Sequence, residues 1–177
     1  MDETPTGRLM RDRKILRRID YNLAIISRFI VLANVFIFLL VVSVGGIYHQ
    51  HAKIVILLAF GLLVPSATNF FLSLRFDSLY GAGPARWRSA FFAVQLVTAL
   101  FLGVFASLVI FLEGLSVNAF IVTLYVVGYS SIYNVEWSPY HRRNMFRQVA
   151  VCIPPIASYV VLSSLNGVVV AVGLFVV

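Results

Sequence analysis

The sequence is poor in charge, and poorest in acid: Asp and Glu together number 7, and charged residues make up 12% of the chain. A soluble domain carries about twice that share, roughly 25%. Hydrophobic residues reach 60%, so a form folded in water would lack the polar groups to cover its own surface. A bilayer removes that difficulty. The acids are Asp2, Glu3, Asp12, Asp20, Asp77, Glu113 and Glu136, and none falls at the centre of an apolar segment. A proton- or cation-coupled transporter usually holds a carboxylate there, so coupled transport is disfavoured. The lone cysteine, Cys152, excludes an intramolecular disulfide and any metal site built on thiolates. Histidine is scarce as well. His49 and His51 share a short polar turn with no acid nearby, and His141 lies among arginines. No metal and no cofactor are expected. A Gly-rich phosphate loop, a His-Glu-x-x-His pair and a Gly-x-Ser-x-Gly elbow are all missing. No catalytic residue is therefore assigned, and this chain is not read as an enzyme. No cleavable signal peptide is evident, because the first apolar run is too long for one and follows a long basic leader.

What the sequence does contain is a series of long apolar runs. They cover about 21–48, 54–74, 89–112, 115–133 and 149–162, and a last one opens near 168. The runs are apolar on all sides and lack the apolar-polar alternation of barrel strands. Helices satisfy their own backbone groups in lipid. The expected fold class is thus all-α, a polytopic membrane bundle of about six transmembrane helices. Residues 1–20 form a basic leader, read either as an amphipathic helix in the headgroup region or as a disordered segment that only fixes topology. Residues 21–177 form the membrane domain. After Gly167 only ten residues remain, about half of a bilayer core at 1.5 Å per residue. This predicts a fragment whose parent completes helix six and emerges in the cytoplasm; a tilted or re-entrant terminal helix is the alternative.

Loop charge sets the orientation. One side receives the leader (Arg8, Arg11, Arg13, Lys14, Arg17, Arg18), the loop with Arg75, Arg86 and Arg88, and the loop with Arg142, Arg143 and Arg147, twelve cations in all. The other side receives one, Lys53, while Arg28 is expected to snorkel towards headgroups. The positive-inside rule places the cation-rich side in the cytoplasm, with both termini there. The same cations account for the net charge of +7 without a nucleic-acid partner. Arg11, Arg13, Lys14, Arg17 and Arg18 are the expected contacts to lipid headgroups.

Within the runs, Asn34, Asn69, Gln95, Thr98 and Thr123 need partners away from lipid. They either bond between helices or line a polar patch in a ligand cavity. With Tyr125 and Tyr129, which recur at helical spacing, they are the candidate ligand-contacting set. Tyr133 and Trp137 are expected to anchor the interface. Pro65, Pro154 and Pro155 interrupt their helices and are the candidate hinges.

Several of these features together resemble the N-terminal multi-helix input regions of bacterial sensor proteins that precede histidine kinase or diguanylate cyclase domains. They are the basic leader, the short external turns, Arg86-Trp87-Arg88, Phe101-Leu102-Gly103, Gly128, Trp137-Ser138-Pro139 and the prolines near 154. The resemblance implies a sensory domain in the bacterial inner membrane, acting as a homodimer. Such a domain would detect a small or lipid-like signal and relay it to a cytoplasmic output domain beyond residue 177. The alternative expectation is a small transporter or channel subunit.

Overall fold

A computed structural model describes residues 5–44, 47–114, 116–136 and 140–161. Regular structure among them is entirely helical: α1 (Pro5–Val44), α2 (Ile47–Leu74), α3 (Phe76–Ala82), α4 (Pro84–Glu113), α5 (Val117–Glu136) and α6 (His141–Val161). The all-α expectation holds. Three helical stretches are long and apolar enough to cross a membrane: Arg13–Val44, His51–Leu74 and Pro84–Glu113, with 32, 24 and 30 residues against the roughly 20 needed. The apolar part of α5, Val117–Ile132, is shorter. The expected sixth segment, from 168, lies outside the described residues.

Burial is inverted relative to a soluble protein. Phe29, Leu57, Phe60 and Phe120 are each more than 60% exposed, whereas Asp20, Asn34, Asn69, Gln95 and Arg147 are at most 1% exposed. Water would reward the opposite arrangement. Hydrocarbon rewards this one, because apolar side chains cost nothing at its surface and polar groups must find each other inside.

Hydrogen bonds fix the packing. Asp20 and Ser27 on α1 meet Arg88 and Gln95 on α4, so these helices run parallel in constant register. Arg28 meets Ser73 near the far end of α2, so α1 and α2 run antiparallel. Helix α4 occupies the centre, packed against α2, α3, α5 and α6. Its small stripe Ala99, Gly103 and Ala106 lets a neighbour approach closely. A Cβ on Gly103 would lie 2.7 Å from the Ala150 carbonyl oxygen and 2.8 Å from that of Val151, so α4 and α6 touch backbone to backbone. On α2, Gly61 leaves room for the Phe101 ring, 2.1 Å from where a Cβ would stand.

Several expected loops are helical. The polar stretch before segment three folds as α3 plus the first turn of α4. Gly83 is extended between them, and Pro84 opens α4 with its φ already set. Phe76 and Tyr80, four residues apart on α3, are both buried. They join a ring column in which Phe76 stacks on Tyr80 at 4.7 Å and Trp87 on Phe91 at 4.6 Å. The second expected loop is helical from His141, eight residues before the apolar run. The polar turn at 49–51 lies within α2, whose only non-helical backbone is at His51. Pro65 in α2 and Pro154 and Pro155 in α6 all sit inside their helices. The side chains of Tyr133 and Trp137 lie outside the described residues.

The helix ends are closed by tertiary contacts. The last carbonyls of an α-helix have no partner within it. At the end of α2, Phe71 accepts from the Arg75 amide, Leu72 from Trp87 Nε1 at 3.1 Å, and Ser73 from Arg28 at 2.6 Å. Arg28 therefore caps a helix instead of snorkelling, and its charge suits the negative end of the helix dipole. At the α4–α5 turn Gly114 adopts φ 63°. Ser116 then caps α5, accepting from the Ala119 amide at 3.1 Å and donating to Glu113 at 2.8 Å.

Candidate functional site

Asp20, Ser27 and Asn34 follow one another at seven-residue intervals on α1, and all three are buried. Seven residues make about two helical turns, so these side chains point one way at levels about 10 Å apart. Each level collects polar partners from other helices, and the result is a ladder through the bundle interior.

The first rung lies where the cations gather. The Asp20 carboxylate accepts from Tyr80 Oη at 2.7 Å, from Arg88 Nε at 2.7 Å and from Tyr140 Oη at 2.8 Å. Arg88 also donates to Tyr80 Oη at 2.7 Å, and its guanidinium lies 5.7 Å from that ring's centre. One carboxylate thus ties together α1, α3, α4 and the residue just before α6. The arginine's charge and three donors offset the cost of burying Asp20. The gap beside the carboxylate is about 10 Å³, at the limit for one water, so no small-molecule substrate fits there.

Tyr80 and Tyr140 lie outside the membrane-spanning stretches. Both have their hydroxyls pushed above the ordinary phenol pKa, first by burial and then by the hydrogen bond each gives to Asp20. The neutral phenols are the bonded forms. Their contribution to stability is therefore complete below the unfolded phenol pKa, about 10, and is lost as pH rises through the higher folded values. In an alkaline titration of phenolate absorbance, these two tyrosines should ionise after the exposed ones. Tyr80→Phe and Tyr140→Phe should each remove one late-titrating group.

The second rung holds Ser27, Gln95 and Tyr129. Gln95 Nε2 donates to Ser27 Oγ at 2.9 Å, while Tyr129 Oη reaches Gln95 Oε1 at 3.5 Å, the outer limit of a bond. Beside it Arg147 is wholly buried. It donates to Asn144 Oδ1 at 2.8 Å, and its guanidinium lies 5.1 Å from the Tyr129 ring centre. The third rung is the bond from Tyr125 Oη to Asn34 Oδ1. Thr123 meets Tyr159 at 2.8 Å on another pair of helices, α5 and α6.

The expected ligand-contacting residues are therefore interior but spread over several levels. Asn34 and Tyr125 are brought together, as are Gln95 and Tyr129. Thr123 pairs with Tyr159, and Thr98 bonds the Val94 carbonyl in its own helix. Asn69 is buried with Oδ1 unbonded among the described residues, as is Nδ2 of Asn34. The sequence reading missed Asp20, Tyr80, Arg88, Tyr140 and Arg147 as site residues. The heptad repeat of Asp20, Ser27 and Asn34 was the available signal, since it carries a polar stripe from the leader into an apolar run. Tyr125→Phe removes the donor to Asn34. It should cost about 1 kcal/mol, the usual size of an interhelical hydrogen bond in lipid, as a lower thermal midpoint in detergent.

Among the expected headgroup cations, Arg13, Lys14, Arg17 and Arg18 are exposed on α1; the side chain of Arg11 lies outside the described residues. Arg17 pairs with Asp77 of α3 at 3.0 Å, with the two side chains 61% and 75% exposed. No group of His, Cys, Asp and Glu among the described residues is placed to hold a metal. Comparison with protein-family models, with curated proteins and with solved structures returns no match.

Proposed function

We propose that the chain is a membrane-embedded signal-input domain of six spans with its basic end in the cytoplasm, as in bacterial inner-membrane sensors. The observation that carries this reading is the Asp20 rung, which joins four elements at the basic end. An input domain has to convert a change among its spans into a displacement at its cytoplasmic face. A buried carboxylate shared by one arginine and two phenols suits that task, because a half-opened rung leaves charge unpaired. The rung is therefore either made or broken, and a signal biases it by binding the two arrangements unequally. The signal is a small or membrane-soluble molecule, relayed to a cytoplasmic kinase or cyclase domain. The orientation follows from the cations, twelve of fourteen on one side.

Spin labels on Arg13→Cys and Arg142→Cys in a Cys152→Ser background test this reading in proteoliposomes. Two distance populations are expected, with Asp20→Asn shifting their ratio. A single population that Asp20→Asn leaves unmoved would rule out the input reading. Labelling of the same cysteines by a membrane-impermeant thiol reagent from one side alone reports the orientation.

A second reading is a transporter or channel subunit. It is favoured by the unbonded, buried Asn34 Nδ2 and Asn69 Oδ1, which suit a polar solute or water between α1 and α2. Saturable solute flux through proteoliposomes, lost in Asn69→Leu, would select it over the sensor.

A further inference from the structure

Lys14, Arg17, Arg18 and Tyr21 stand at i, i+3, i+4 and i+7 on α1 and so share one face. That face borders α3, where Phe76 and Asp77 complete an open cleft of about 360 Å³. Its floor is aromatic, with Tyr21 edge-on to Phe76 at 5.5 Å, and its rim is cationic. Clefts of about 300–1,000 Å³ hold small ligands. Three cations against the one carboxylate of Asp77 leave the cleft positive, so an anion is the complementary occupant. The Arg17–Asp77 bond does not close the site, because so exposed a pair is worth at most about 1 kcal/mol.

What lies below the cleft identifies the kind of anion. The same face of α1 continues at helical spacing through Leu32 and Phe36, which are 62% and 63% exposed. An occupant seated on the cations therefore meets an uncovered apolar track leading into the membrane. We propose that this cleft binds one anionic phospholipid, its phosphate held by Lys14, Arg17 and Arg18 and its chains laid along α1 past Tyr21. Asp77 competes with the phosphate for Arg17, so binding loosens the tie between α1 and α3 next to the Asp20 rung. The site rests on the reading of the chain as a membrane bundle.

The test is native mass spectrometry of the detergent-solubilised full chain with short-chain phosphatidylglycerol or phosphatidylcholine. One phosphatidylglycerol per chain is expected, bound at least tenfold more tightly than phosphatidylcholine and weakened by salt. Arg18→Gln and Lys14→Gln should each lower that affinity about fivefold, for the roughly 1 kcal/mol of one cation near anionic lipid. Asp77→Asn should raise it, an effect opposite in sign to that of general damage. Equal affinity for the two lipids, or no change in Arg18→Gln, overturns the site. Displacement of the lipid by millimolar inorganic phosphate would make it a free-phosphate site and overturn the lipid assignment. A chain that binds neither lipid, and that remains soluble once detergent is removed, would refute the membrane reading itself.

Discussion

Asp20→Ala is expected to destabilise the bundle by about 3–5 kcal/mol, the usual cost of removing one partner from a buried ion pair. The carboxylate is 1% exposed and the Arg88 side chain 24%, so water does little to replace what is lost. Arg88 would keep its charge facing Tyr80, and both phenols would lose their acceptor. Asp20→Asn keeps an acceptor of the same shape, so it should cost less while still removing the charge attraction. The double variant Asp20→Asn with Arg88→Gln should recover part of the loss, since it removes the unpaired cation as well. Unfolding midpoints in detergent for the two singles and the double form a mutant cycle. Additive effects would mean that the 2.7 Å contact between Asp20 and Arg88 contributes nothing of its own. The α1–α3–α4 junction should loosen first, and faster amide exchange in α3 than in α5 would report it.

Gly103→Ala is expected to have the second largest effect. The added methyl would stand 2.7 and 2.8 Å from two backbone carbonyl oxygens of α6, and backbone cannot rotate aside as a side chain can. Overpacking of this kind costs about 1–3 kcal/mol, and Gly103→Val should cost more. Gly128→Ala is the control. A Cβ there meets nothing within 4 Å, and alanine favours a helix over glycine by about 1 kcal/mol, so this variant should be neutral or stabilising. Thermal midpoints of the three variants in one detergent check the ranking. If Gly103→Ala were as stable as Gly128→Ala, the close α4–α6 approach would be wrong.

Much of the fold could be read directly. The apolar runs mark helices because lipid leaves a backbone no other way to bond with itself. The cation clusters mark one end, because charge does not enter hydrocarbon cheaply. The breaks at Glu113-Gly114 and after Val44 also fall between helices. The errors are confined to the polar stretches. Residues 76–82 and 141–148 were taken for loops because their charges and turn formers outweigh a weak period. They are helical because Phe76, Tyr80, Asn144 and Arg147 each find a buried place against other elements. The functional candidates divide in the same way. Asn34, Gln95 and Thr123 stood out as polar residues in apolar runs, and the interior does hold them. Asp20 and Arg88 did not stand out, because each sits at the edge of a run, where a charge needs no special explanation.

The Asp and Glu scarcity, the long apolar runs and the one-sided cations were sufficient by themselves to set the class: a helical chain with lipid as its better solvent. Those are one-dimensional properties, and transfer free energy depends only on them. Which polar side chains meet was decided by tertiary structure alone. Asp20 lies 68 positions from Arg88 and 120 from Tyr140, and no local pattern encodes a contact over such separations. It arises because α1 and α4 run parallel in fixed register and α3 folds back over Trp87. That geometry turns an acid at the edge of an apolar run into the shared acceptor at the centre of the basic end.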